Sequence, residues 1–307
     1  MTILTIGATL YRACEAAEEL EEVVLDWLRQ MLGLPEGMSG VIEDTASTAT
    51  LCALLSARER ATGFASNQKG LRENLVVYAS VETHSSIEKG VKIAGYGKDN
   101  LHLIPTDEAY ALVPEKLEQA ILEDKKRGLK PACVVATIGT TSSTAVDPLA
   151  AIGKISRRHG LWLHVDAAFA GSAAILPEMK WILEGAEHMD SFVFNPHKWL
   201  FTNFDCSAYF VKDPAVLVRT FEVHPEYLKT ELDRQVKNFR DWGIQLGRRF
   251  RALKLWFVIR SYGVGGLQAI LREHLRLGQL FAGWVKDHPK FELMAPVPLS
   301  VVCFRLN

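Results

Sequence analysis

Short apolar runs alternate with amphipathic stretches through the first two thirds of the chain. Runs rich in valine and isoleucine fall at residues 75–79, 101–104, 133–138, 161–165 and 191–194. Between most of them, residues 85–93, 114–127, 148–158 and 177–185 carry apolar positions at helical spacing. Two further helices precede the first run. One covers residues 13–31, with Leu20, Val23, Val24, Trp27, Leu28 and Met31 on one face, and Leu34-Pro35-Glu36-Gly37 ends it. The other follows Ser47 and extends to about Arg60. Strands alternating with helices predict an α/β fold, a mostly parallel sheet covered by helices on both faces. Residues 206–211 form another strand candidate, set antiparallel by its short connection.

Beyond Asp213 the pattern changes. Residues 222–242 are polar without a clear period. Residues 246–262 and 267–286 read as helices separated by Gly263-Val264-Gly265-Gly266, and residues 291–294 and 300–306 read as strands. The expected organisation is a helical segment (1–36), a large α/β domain (37–221), a loop (222–242) and part of a smaller α+β domain (243–307).

Composition narrows the class. The 307 residues are 48% hydrophobic and 23% charged, with a formal net charge of -1, as in an ordinary globular enzyme. A near-neutral chain gives no general affinity for nucleic acid or anionic membranes. The basic run Arg248, Arg249, Arg251, Lys254 and Arg260 is interleaved with Phe250, Leu253, Leu255, Trp256 and Phe257, so it reads as an amphipathic packing helix. No apolar run reaches membrane-spanning length, and residues 1–10 lack the basic flank and cleavage site of a signal peptide. The five cysteines form no Cys-x-x-Cys pair, which suits reduced thiols in the cytoplasm. The nine histidines show no metal-ligand spacing, so no metal is expected.

Candidate chemistry sits where the strands end. In an open parallel sheet, ligands bind beyond the carboxyl ends of the strands. Three such ends are polar: Gly139-Thr140-Thr141-Ser142-Ser143, Asp166-Ala167-Ala168 and Asn195-Pro196-His197-Lys198. An acid and a lysine at neighbouring strand ends suit a pyridine aldehyde, the lysine giving an imine and the acid pairing with the ring nitrogen. Spacing alone leaves a nucleotide as the alternative.

The runs His164 through Ala173, Phe194 through Trp199, Gly139 through Ser143, Asn203 through Ala208 and Leu246 through Lys254 together resemble the group II pyridoxal-phosphate decarboxylases, the family of aromatic-L-amino-acid decarboxylase. The resemblance implies a fold type I cofactor domain cut short at both ends, since full-length members carry an N-terminal segment of roughly eighty more residues, within typical domain size. It implies that Lys198 holds pyridoxal 5'-phosphate as a Schiff base and that Asp166 pairs with the ring nitrogen. Ala168 and His84 would flank the ring. Ala46 and Ser47 would meet the phosphate at a helix N-terminus, with help from Asn195 and His197, and Thr141 would lie near the substrate carboxylate. His84 also suits a simple helix cap, and Asp147 a cap ahead of Pro148. Tyr227 aligns with a tyrosine of the family's mobile loop, which delivers the proton after carbon dioxide leaves. The expected activity is decarboxylation of an aromatic L-amino acid to its amine in a cytoplasmic homodimer. Aldehyde-forming relatives often lack that tyrosine or alter the histidine; both are present here. The remaining alternatives are such an aldehyde synthase and a catalytically silent protein of the same fold.

Overall fold

The computed structural model describes residues 15–223 and 237–307. Seven strands form the main sheet: β1 (Ser39–Glu43), β2 (Leu75–Ser80), β3 (Leu101–Ile104), β4 (Lys130–Thr137), β5 (Trp162–Asp166), β6 (Ser191–Phe194) and β7 (Ser207–Val211). Their spatial order is β1-β7-β6-β5-β4-β2-β3. β7 is antiparallel to both of its neighbours, so it alone runs against the other six. Residues of β2, β4, β5, β6 and β7 are buried on both faces, which explains their near-continuous apolar character.

The helices that matter for the site are α1 (Glu15–Leu32), α2 (Ala46–Ala61), α3 (Ser85–Ile93), α4 (Pro114–Lys126), α5 (Leu149–His159) and the single turn α6 (Pro196–Trp199). α2 lies across β4, β5 and β6, burying Ala49, Cys52, Ala53 and Ala57. These small residues let the helix backbone approach the sheet closely. α7 (Pro214–Phe221) starts at an Asp213 cap, and α8 (Arg251–Asp287) leads into the hairpin of β8 (Phe291–Leu293) and β9 (Phe304–Leu306).

The structure departs from the sequence-based elements in several places. β1 was not anticipated. Residues 177–185 form a 3₁₀ segment, Pro177–Leu183, continuing from another at Ala170–Ile175. The Ala170–Ile175 segment presses its glycine onto β6: a Cβ on Gly171 would lie 2.5 Å from that of Phe194. Of the four-residue break expected inside the long C-terminal helix, only Gly263 is non-helical, with φ 64° and ψ 168°. That helix also begins at Arg251 rather than at residue 246. Arg248, expected on the helix, is instead buried before it, donating to Ile42 O at 3.1 Å and pairing with Glu21. β9 begins only at Phe304, and the preceding Ser300 packs closely against Gly278 of α8. No helix among the described residues is long and apolar enough to cross a membrane.

Candidate active site

The sheet order aligns the carboxyl ends of β4, β5 and β6. Asp166, the last residue of β5, is in register with Thr137 at the end of β4 and Val193 near the end of β6. Two backbone hydrogen bonds lock the following turns together: Ala167 N–H donates to Val193 O at 2.9 Å, and Asn195 N–H donates to Ala168 O at 3.0 Å. Pro196 then opens α6, fixing φ where its missing N–H costs nothing. Lys198 is therefore presented by a short rigid turn beside Asp166. β1 also ends on this edge, and Asp44-Thr45 turns the chain into α2.

A cavity of about 400 Å³ opens at this edge. Nine of the ten predicted site residues line it. Ala46 and Ser47 come from the first turn of α2, His84 from the cap of α3, and Thr141 from the loop after β4. Asp166, Ala168, Asn195, His197 and Lys198 come from the ends of β5 and β6. The tenth, Tyr227, lies outside the described residues. Thr137, Ser86, Thr144 and Val301 also line the cavity, although sequence reasoning gave them no role. Ser86 follows His84 by two positions, a cue to its hydrogen bond. Val301 arrives from the C-terminal segment, a long-range contact that no local pattern signals.

Burial raises the carboxyl pKa of Asp166, while the Ala168 N–H, donating to Oδ1 at 3.0 Å, and the nearby Lys198 and His84 oppose the rise. His84 caps α3 through Nδ1, which accepts from Ser86 N–H at 3.1 Å. His84 thus caps the helix and also lines the cavity. His197 Nδ1 accepts from Cys206 N–H at 2.8 Å, and burial lowers its pKa. Asn195 Oδ1 accepts from Ser207 Oγ at 2.6 Å. At the start of α2, the side chain of Thr45 accepts from Thr48 N–H, and Ala46 and Ser47 of the first turn, where helix N–H groups lack intrahelical partners, line the cavity. Asp147 is not the cap of α5, whose N-cap is Pro148 without a side-chain bond. It is a buried strut, accepting from Leu112 N–H at 2.8 Å and Thr137 N–H at 2.7 Å, with its pKa raised by burial to about 6.

Residues 2–307 match the model of the pyridoxal-dependent decarboxylase conserved domain. The chain belongs to this family. It is 47% identical to tyrosine decarboxylase 2 of Narcissus pseudonarcissus, covering 96% of this chain and 60% of that protein. Phenylacetaldehyde synthase of Petunia hybrida is 45% identical over the same shares of each. Among solved structures, the Oryza sativa TDC with PLP and tryptamine superposes with a TM-score of 0.95 at 40% identity, covering all of this chain and 65% of that one. The chain thus spans about 60% of the length of the curated relatives it matches.

The cavity fits the family's cofactor, pyridoxal phosphate. Thr137 lines it, and its Oγ1 is buried without a hydrogen-bond partner among the described residues. The buried Asp166 carboxylate would gain a cationic partner from a protonated ring nitrogen. The α2 N-terminus suits a phosphate, and Lys198 offers a primary amine to an aldehyde.

Proposed function

We propose that this chain carries the cofactor site of an enzyme that decarboxylates an aromatic L-amino acid to its amine and carbon dioxide. The observation that carries this reading is the opening of Lys198, Asp166 and the N-terminus of α2 onto one cavity. When bound, pyridoxal phosphate supplies an electron-withdrawing ring that accepts the electron pair freed as the carboxylate leaves. Lys198 provides the amine that anchors the aldehyde. Asp166 holds a proton on the ring nitrogen. Ala168 and His84 confine the two faces of the ring. Ser47, the Ala46 backbone, Asn195 and His197 would hold the phosphate, and Thr141, which lines the same cavity, would meet the substrate carboxylate. Tyr227 returns a proton to the substrate carbon. A homodimer in the cytoplasm is part of this proposal and rests on the family resemblance alone.

A second reading, aldehyde formation, is favoured by the similarity to phenylacetaldehyde synthase. The presence of Tyr227 and His84 supports the first. Both are tested by incubating the chain and pyridoxal phosphate with a panel of L-amino acids while following carbon dioxide, amine, peroxide and ammonia. Amine as the sole organic product from an aromatic substrate is expected. Aldehyde with peroxide and ammonia replaces the first reading with the second, and no turnover of any amino acid overturns both.

A further inference from the structure

Two residues before Asp166, on the same face of β5, His164 is completely buried. Burial holds its pKa down to about 3, so the ring is neutral throughout the physiological range. Each ring nitrogen meets a hydroxyl. Nε2 lies 3.2 Å from Thr50 Oγ1 on α2, one turn beyond the Ala46-Ser47 end that faces the cavity. Nδ1 lies 2.9 Å from Ser191 Oγ at the start of β6, the strand that leads to Lys198. Ser191 in turn accepts from Trp162 Nε1 at 2.8 Å.

A buried imidazole costs desolvation that an aliphatic side chain of similar volume would avoid. What the imidazole adds is two polar ends on one rigid plate, each meeting a different element. We propose that His164 is a positioning residue, a neutral strut that sets the phosphate-facing end of α2 against the strand ends carrying Asp166 and Lys198. The proposal rests on the cofactor reading above. Its chemistry is geometric: α2 holds the phosphate, β5 and β6 hold the ring and aldehyde, and His164 fixes the span between them. A merely structural histidine would affect every ligand of the cavity alike. A strut affects ligands that must reach both ends at once.

The test compares pyridoxal phosphate with pyridoxal, which lacks the phosphate, by equilibrium binding to the 307-residue chain. Thr50→Val removes the helix contact while keeping the side-chain shape. His164→Gln can place a polar atom near the Nε2 position, whereas His164→Asn reaches only toward Ser191. Thr50→Val and His164→Asn are expected to weaken pyridoxal phosphate about tenfold, the scale seen when a group supporting a ligand's anchor is removed. Pyridoxal should shift less than about twofold, and His164→Gln should retain most of the wild-type preference. Circular dichroism confirms that each variant is folded, and Thr50→Val, the mildest change, serves if the histidine variants are not. Equal weakening of both ligands, or no weakening of either, overturns the strut. Failure of the unaltered chain to bind pyridoxal phosphate overturns the underlying cofactor reading instead.

Discussion

At the scale of single residues, Asp166 carries the strongest expectation. Burial raises its pKa, and one backbone N–H together with the nearby Lys198 and His84 counters that rise. Asp166→Asn keeps the shape and the Ala168 contact but removes the negative charge. A neutral amide is less costly to bury than a carboxylate, and Lys198 is exposed, so the melting temperature should stay within a few degrees. Amine release should fall by at least about 100-fold, as expected when a preorganised electrostatic partner is lost; a variant retaining near-normal turnover would dismiss the assigned role. His84 separates two duties. His84→Asn preserves an N-cap acceptor and should leave stability unchanged, whereas His84→Ala should lose about 1 kcal/mol. Both should lose turnover, which thermal melts and steady-state kinetics distinguish. Asp166 and Lys198 were legible because a strand end leaves an exposed mark: an apolar run stopped by a polar residue. Thr137 and Val301 were not. The first looks like one more β-branched strand residue, and the second reaches the cavity only through tertiary folding.

The elements follow the same logic. The strands read from apolar runs are all in the sheet; in β2, β4, β5 and β6 burial on both faces demands continuous apolar sequence, whereas β3 lies at the sheet edge and leaves Leu103 exposed. β1 escaped notice because Ser39–Glu43 contains a glycine and ends in a glutamate, both poor strand formers. The fold explains the glycine. A Cβ on Gly40 would lie 2.9 Å from Phe210 Cε1 and 3.0 Å from Leu25 Cδ2, so only a bare backbone lets α1 and β7 close around β1. Gly40→Ala should therefore destabilise the protein by about 1–3 kcal/mol through overpacking, despite alanine's better strand propensity. Denaturant titration checks this; an unchanged midpoint would show that the neighbours relax at no cost. Since β1 delivers Asp44-Thr45 into α2, loosening it should also weaken the phosphate end of the site. The kink at Gly263 was visible as a glycine cluster, but the sequence could not say which glycine turns. The structure puts the turn at Gly263, the one glycine of the cluster with a positive φ.

Across the molecule, buried ionisable groups give opposing pH dependences of stability. Glu43, at the end of β1, is buried beside Arg248, Asp44 and Glu21, and burial lifts its pKa from 4.5 to about 7. The folded state then binds more protons than the unfolded state between those values. Its contribution is fully present below pH 4.5 and is lost as pH rises through about 7. His164 acts the other way. Its folded pKa is near 3, against an ordinary value of 6.5, so its contribution is present above pH 6.5 and is lost as pH falls toward 3. The two slopes overlap and partly cancel between pH 4.5 and 6.5, leaving the Glu43 penalty exposed on the alkaline side. Glu43→Gln isolates it. At about pH 3 the variant should match wild-type stability, because the glutamate is then protonated in both states. At pH 8 the variant should be more stable, by at most about 3 kcal/mol, the free energy that separates a carboxyl titrating at about 7 from one titrating at 4.5. Arg248 retains Glu21 as its partner, so the substitution leaves no unpaired cation. Thermal melts at the two pH values check the sign. A gain that is equal at both, or larger in acid, would show that Glu43 is ionised in the folded protein and that Arg248 offsets its burial.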